Sequence, residues 1–146
     1  MLKLIAIGST LEDNVEFSTN PLSREILEMT IGFFDKVGYV PPWIGYFVKQ
    51  DDELVGSAAF KGPPANGAVE IAYGTWEPHR QKGIGTGICR LLVDLALKAD
   101  TAIRITARTL PEENFSTRIL RKNGFNLVGI VIDPEDGEVW EWEFEK

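Results

Sequence analysis

Arg80-Gln81-Lys82-Gly83-Ile84-Gly85-Thr86-Gly87 separates a β-like run, Ala68 to Trp76, from a helical run, Ile84 to Ala99. A glycine-rich turn that opens a helix aims several backbone N–H groups at one point. The positive end of the helix dipole lies behind them, so the turn is a ready anion site. A phosphorylated cofactor is the expectation. The spacing excludes two of the known phosphate loops. The nucleoside-triphosphate loop requires Gly-Lys followed by Ser or Thr, and neither Gly-Lys-Ser nor Gly-Lys-Thr occurs. The dinucleotide fingerprint requires Gly-x-Gly-x-x-Gly after a first strand, whereas this chain has Gly83-x-Gly85-x-Gly87 after several strands. The pattern Arg/Gln-x-x-Gly-x-Gly/Ala fits without adjustment, as Arg80 to Gly85.

Outward from the loop the elements alternate in type. Met1 to Gly8 reads as a first strand and Ser9 to Thr19 as a loop. Asn20-Pro21 opens a helix, with Asn20 as N-cap, and Leu22, Ile26, Met29, Phe33 and Val37 recur at helical spacing until Gly38. Trp43–Lys49 and Leu54–Lys61 read as a hairpin around Gln50-Asp51-Asp52-Glu53. After the loop, Ile84, Ile88, Leu91, Leu92 and Leu95 mark one face of a helix. Thr101 to Ala107 alternates as a strand. Asn114 caps a short helix that Asn123-Gly124 ends. Phe125–Ile132 and Glu138–Glu145 form two last strands, with Trp140, Trp142 and Phe144 facing one way, suited to a core or to a homodimer. The order β-α-β-β-β-α-β-α-β-β predicts an α+β fold: a central mixed, mostly antiparallel sheet flanked by helices, in a single domain over residues 1–146.

Composition narrows the function classes. The chain has 146 residues, 44% of them hydrophobic, enough for one real core. No apolar run nears the ~20 residues that span a bilayer, so no membrane role is expected and a cytoplasmic location is the default. The net charge of −7 argues against nucleic acid as a partner, since backbone phosphates require a basic face. The single cysteine, Cys89, excludes an intrachain disulfide and reads as a core residue; the single histidine, His79, makes a zinc site unlikely, and no metal is expected.

Three stretches together carry a resemblance: the loop Arg80 to Thr86; Val69-Glu70-Ile71-Ala72-Tyr73 before it; and Asn114-Phe115-Ser116-Thr117-Arg118-Ile119-Leu120-Arg121-Lys122-Asn123-Gly124-Phe125 after it. With the element order, they make the chain resemble the GCN5-related N-acetyltransferases (the GNAT superfamily), in particular the subgroup of ribosomal-protein N-terminal acetyltransferases. The resemblance implies an acyltransferase that carries an acetyl group from acetyl-CoA to a primary amine, a protein N-terminus or a small molecule, by direct attack in a ternary complex. It implies that the backbone of Arg80, Gln81, Lys82, Gly83, Ile84, Gly85 and Thr86 holds the pyrophosphate. The preceding strand is expected to splay from its neighbour, freeing backbone groups near Thr75 and Trp76 for the pantetheine arm and the acetyl carbonyl. Asn114 and Ser116 correspond to residues flanking the pantetheine and the thiol.

Proton transfer selects two further roles. Strand alternation puts Glu70 on the face shared by Ala68, Ala72, Gly74 and Trp76, where small neighbours leave room for a substrate. Glu70 is the expected general base. Many relatives place a tyrosine four residues before the Gly-Phe pair; here that position is Leu120, so Ser116 is expected to serve the thiol instead. Pro78 lies two residues before Arg80, where relatives usually have three. The acids Asp133, Glu135 and Asp136, between the last two strands, are expected to favour a cationic amine. A non-catalytic acyl-CoA sensor is the alternative, since Leu120 cannot donate a proton.

Overall fold

The computed structural model describes residues 1–17, 21–76, 79–80 and 82–146, and the side chains of Val15, Glu16 and Leu22 lie outside the description. Seven strands form one sheet in the order β1-β2-β3-β4-β5-β7-β6: β1 (Leu2–Ala6), β2 (Gly45–Gln50), β3 (Glu53–Phe60), β4 (Ala68–Thr75), β5 (Arg104–Thr109), β6 (Phe125–Asp133) and β7 (Gly137–Phe144). Every neighbouring pair is antiparallel except β4–β5. The helices are α1 (Pro21–Val37), α2 (Ile84–Ala99) and α3 (Phe115–Lys122). The expected mixed, mostly antiparallel sheet with flanking helices is therefore the observed architecture. No described helix is long and apolar enough to cross a membrane.

Local chemistry explains most boundaries. Pro21 starts α1, where its missing N–H costs no hydrogen bond, and Gly38 ends it at φ +90°, a conformation that favours glycine. The expected cap Asn20 lies outside the described residues. The stretch expected as a loop, Ser9 to Thr19, contains a short 3-10 segment at Glu12–Phe17. Asn14 organises it: its buried amide accepts from the Gly8 N–H and donates to the Gly8 and Thr10 carbonyls. The strand expected to begin at Thr101 begins at Arg104, because the Asp100 carboxylate accepts the Ala102 N–H and holds 100–102 in a turn.

The core lies on both sides of the sheet's centre. Ile88, Cys89, Leu92, Val93 and Ala96 of α2 pack on one face, with Val69, Ile71, Phe60 and Ile105 beneath them. Burial pushes the Cys89 thiol up to about 11, as expected for a core residue rather than a nucleophile. Phe17 and Phe47 meet on the other face, with ring centroids 4.6 Å apart. Trp142 is fully buried, and Trp140 and Phe144 pack against the core, so this face of β7 is interior. The neighbouring edge strand β6 instead exposes Leu127, Val128, Ile130 and Ile132.

Candidate active site

The site begins where β4 and β5 part. They pair in parallel from Ala68↔Arg104 to Ile71↔Ala107, then diverge, although β4 runs on to Thr75 and β5 to Thr109. β4 remains tied to β3 on its other edge. The Lys61 N–H donates to the Glu70 carbonyl and the Trp76 N–H to the Val55 carbonyl, both at 2.8 Å. Backbone groups of a strand point to alternate edges, so those of Tyr73 and Thr75 face the opening. This corrects one expectation: the Trp76 amide is occupied by Val55, and Tyr73 provides the free groups in its place. The Thr75 carbonyl accepts from Arg80 Nε at 3.1 Å, which ties the loop's arginine back to the strand.

Gly83 is the N-cap of α2, at φ +78°, and makes no side-chain capping bond. The first-turn amides of Ile84, Gly85 and Thr86 therefore remain open to a ligand. Side chains are absent where the backbone must come close. A Cβ on Gly85 would lie 2.7 Å from Ile119 Cδ1 and 3.3 Å from Thr75 Oγ1, whereas one on Gly83 would meet nothing within 4 Å. Lys82 is exposed beside the turn; Ile84 sends its side chain into the core; Gln81 and Pro78 lie outside the described residues.

A cavity of about 690 Å³ opens between these elements and α3. It brings together the expected residues Thr75, Arg80, Gly83, Gly85, Thr86 and Ser116, and adds Tyr73, Arg118 and Lys122. Burial, with Cys89 beside it, holds the Tyr73 hydroxyl well above the ordinary tyrosine value, so it keeps its proton. Ser116 is exposed at the first turn of α3 and has no hydrogen-bond partner among the described residues. Asn114 is the cap of that helix: its Oδ1 accepts the Thr117 N–H at 3.1 Å, and its own N–H donates to Thr117 Oγ1 at 2.9 Å. Leu120 is a core residue, 1% exposed.

Glu70 does not line that cavity. It sits on the sheet face away from α2, in a second cavity of about 410 Å³ lined also by Lys61, Arg104, Arg108, Glu141 and Glu143. Its carboxylate is 3.1 Å from Lys61 Nζ and 3.8 Å from Arg108 Nε. Ala72 and Gly74 follow it on the same face, opposite Ala59 and Ser57 of β3, and a Cβ at Gly74 would meet nothing within 4 Å. The room inferred from the alternation is present, together with two cations that the alternation does not reveal. Of the turn acids, Asp133 accepts from Arg108 Nη1 at 3.0 Å and from the Glu135 and Asp136 N–H groups at 2.8 and 3.2 Å. These bonds, the backbone pair first, hold its carboxyl below the usual range. Asp133 therefore secures the turn to β5, while Glu135 and Asp136 stay exposed.

Sequence reasoning missed Arg118 and Lys122. Their i, i+4 spacing, with Phe115 one turn earlier, was the available signal. It missed Lys61 and Arg108 because they reach Glu70 from the end of β3 and from β5.

Known proteins resemble this chain in sequence and in fold. The family model described as the acetyltransferase (GNAT) domain matches residues 11–126. An uncharacterised N-acetyltransferase of Bacillus subtilis (strain 168), YjdG, is 38% identical over 115 residues, 76% of this chain and 64% of its own length. YjcK, a probable N-acetyltransferase of the same organism, is 36% identical over 59% of this chain and 49% of its own length. The chain thus spans about half to two thirds of these relatives. Among solved structures, RimL, a ribosomal L7/L12 α-N-protein acetyltransferase in complex with coenzyme A, superposes with a TM-score of 0.69 at 20% identity, covering 97% of this chain and 92% of its own. The aminoglycoside acetyltransferase AAC(6')-Ib with ribostamycin and coenzyme A gives 0.72 at 18% identity, covering 99% and 93%. These two likenesses speak to the fold alone, but the matched family model covers most of the chain and every element of the site up to α3: the protein belongs to the acetyltransferase (GNAT) domain family.

Proposed function

We propose that the protein is an N-acetyltransferase that moves the acetyl group of acetyl-CoA to a primary amine by direct attack in a ternary complex. The observation that carries this reading is the larger cavity: open helix-terminal amides and three cations, with no aspartate or glutamate in its lining. Such a lining suits a polyphosphate. The missing side chain at Gly85 lets α3 seat against the loop, since a Cβ there would collide with Ile119. The amides from Gly83 to Thr86, with Arg80, would hold the pyrophosphate, and the backbone groups of Tyr73 with the Thr75 N–H would pair with the pantetheine arm. When bound, the thioester supplies an acetyl carbon activated toward an amine.

The residues then move protons. Glu70, through a water, accepts the proton that the amine nitrogen releases as its lone pair forms the N–C bond. Ser116 relays a proton to the sulfur, which leaves with the electron pair of the broken C–S bond, and solvent restores the hydroxyl. An amine acceptor is named for three of the structural neighbours: a ribosomal protein N-terminus for RimL, spermidine for the spermidine N-acetyltransferase SpeG, and an aminoglycoside for AAC(6')-Ib. A second reading, an acyl-CoA sensor without turnover, is favoured by Leu120 in the core, which leaves no hydroxyl at that helix position.

Calorimetry with coenzyme A and with ATP tests the cavity, and thiol release from acetyl-CoA over an amine panel tests turnover. Coenzyme A binding with thiol release is expected; coenzyme A binding without release from any amine supports the sensor. Gly85→Val is expected to weaken coenzyme A about 100-fold, the scale of two lost charge-assisted hydrogen bonds. Calorimetry on the folded variant checks it, and an unchanged affinity would remove the loop from the site.

A further inference from the structure

An amine of the protein itself already stands beside the carboxylate that an acceptor amine would need. Lys61 directly follows β3 and lies opposite Glu70, with its N–H donating to the Glu70 carbonyl at 2.8 Å. Both side chains line the smaller cavity, on the sheet face away from α2. Lys61 Nζ is 3.1 Å from Glu70 Oε2. The pair is uneven: the Lys61 side chain is 46% exposed and that of Glu70 is 21% exposed. The long flexible stem of the lysine therefore has room to move, while the carboxylate is held.

The way from this pair to the opening between β4 and β5 is short. The two strands part after Ile71, one residue beyond Glu70, which is about 3.3 Å along the strand. An extended lysine side chain spans more than that. Small residues continue the face in that direction: Ala59 and Ser57 on β3, opposite Ala72 and Gly74 on β4. Lys122 lines the larger cavity and so lies nearer the loop, but no acid in that lining can take its proton. Lys146 Nζ is bound to the Thr101 carbonyl at 3.1 Å. Proximity to a base thus singles out Lys61.

We propose that Lys61 is a modification site, acetylated within its own molecule by acetyl-CoA. This rests on the acetyl-CoA reading above. The Lys61 ammonium gives one proton to Glu70, which passes it to solvent. The nitrogen lone pair bonds to the acetyl carbon, and the C–S bond breaks with its electron pair on sulfur. A second proton from nitrogen reaches that sulfur, and coenzyme A leaves as the thiol. The product is a neutral amide at Lys61, which leaves Arg108, at 3.8 Å, as the charge partner of Glu70.

The test incubates the native protein with acetyl-CoA and no added amine, and locates acetyl groups by mass spectrometry of its peptides. One acetyl group per chain at Lys61 is expected, formed at a rate per molecule that is independent of protein concentration. Glu70→Gln is expected to slow this at least about 10-fold. The direction is diagnostic, because uncatalysed acylation of an exposed amine would speed up once the carboxylate no longer holds the ammonium. Lys61→Arg keeps the charge and is expected to leave only the slow background of the Glu70→Gln protein. A smaller fall or a rise in Glu70→Gln, acetyl groups spread over other lysines, or a rate that climbs with protein concentration would overturn the proposal. So would an unmodified Lys61 in a protein that releases thiol with an added amine, a result that leaves the acetyltransferase reading intact. Transfer neither to Lys61 nor to any amine of the panel would overturn both.

Discussion

Glu70→Gln is expected to lower kcat by about 10²- to 10⁴-fold, the usual range for a lost general base, while leaving coenzyme A affinity within about twofold. The two halves of the expectation rest on separate cavities: Glu70 lies in the smaller one, and the residues proposed to hold the cofactor line the larger. Glutamine keeps the shape of the side chain and removes only its charge. The lost pairing with half-exposed Lys61 is worth no more than about 1 kcal/mol, so folding should survive. Steady-state kinetics with calorimetry on the same sample decides the matter. A fall in kcat under about threefold would reduce Glu70 to a partner of Lys61 and Arg108, without a role in proton transfer. Lys61→Gln is the companion variant. If Lys61 merely screens the base, its removal should preserve most of kcat; if the pair is the functional unit, both variants fall together.

The largest effect on stability is expected from Trp142→Ala, at about 3–5 kcal/mol, as for other buried tryptophans. Trp142 is fully buried on β7, opposite Ala107 of β5 and Leu127 of β6. Its indole N–H donates to Thr109 Oγ1 at 3.0 Å, and the Arg121 guanidinium lies 5.0 Å above its ring. Truncation removes the buried side chain that links the last hairpin to β5 and to α3 beyond the backbone ladder. Since a domain of this kind has only about 5–15 kcal/mol in total, the loss is a large fraction. Urea unfolding measures it. Trp142→Phe should keep most of the packing and lose chiefly the hydrogen bond, about 1 kcal/mol. A Trp142→Ala change under about 1 kcal/mol would mean that the hairpin is not held through this ring.

Legibility from sequence followed the range of the interaction. Residues 84–99 read as a helix and are one, because the apolar spacing, the loop glycine and the following Asp100 all act within a few positions. Asn114 as a cap, and Ile105 and Ala107 as the inner face of β5, are equally local. Boundaries moved where a side chain seized the backbone, as Asp100 does before β5 and Asn14 does between β1 and α1. The free backbone groups are expected near Thr75 and Trp76 because sequence does not say which edge of a strand its partner takes; the pairing of the Trp76 N–H with Val55 keeps Thr75 and puts Tyr73 in place of Trp76.

The sequence by itself determined the element order, the family resemblance and the glycine turn that opens α2, since all three depend on patterns within a few residues. Tertiary structure alone decided which charges meet. Glu70 stands between Lys61 and Arg108, Asp133 is bound by Arg108, and Arg118 and Lys122 share a cavity with the loop. These groups lie 9 to 38 positions from Glu70, 25 between Arg108 and Asp133, and about 30 to 40 between the loop and α3. Only the closing of the sheet and the seating of α3 on α2 bring them within reach, and Coulomb attraction acts on distance in space, whatever the separation along the chain.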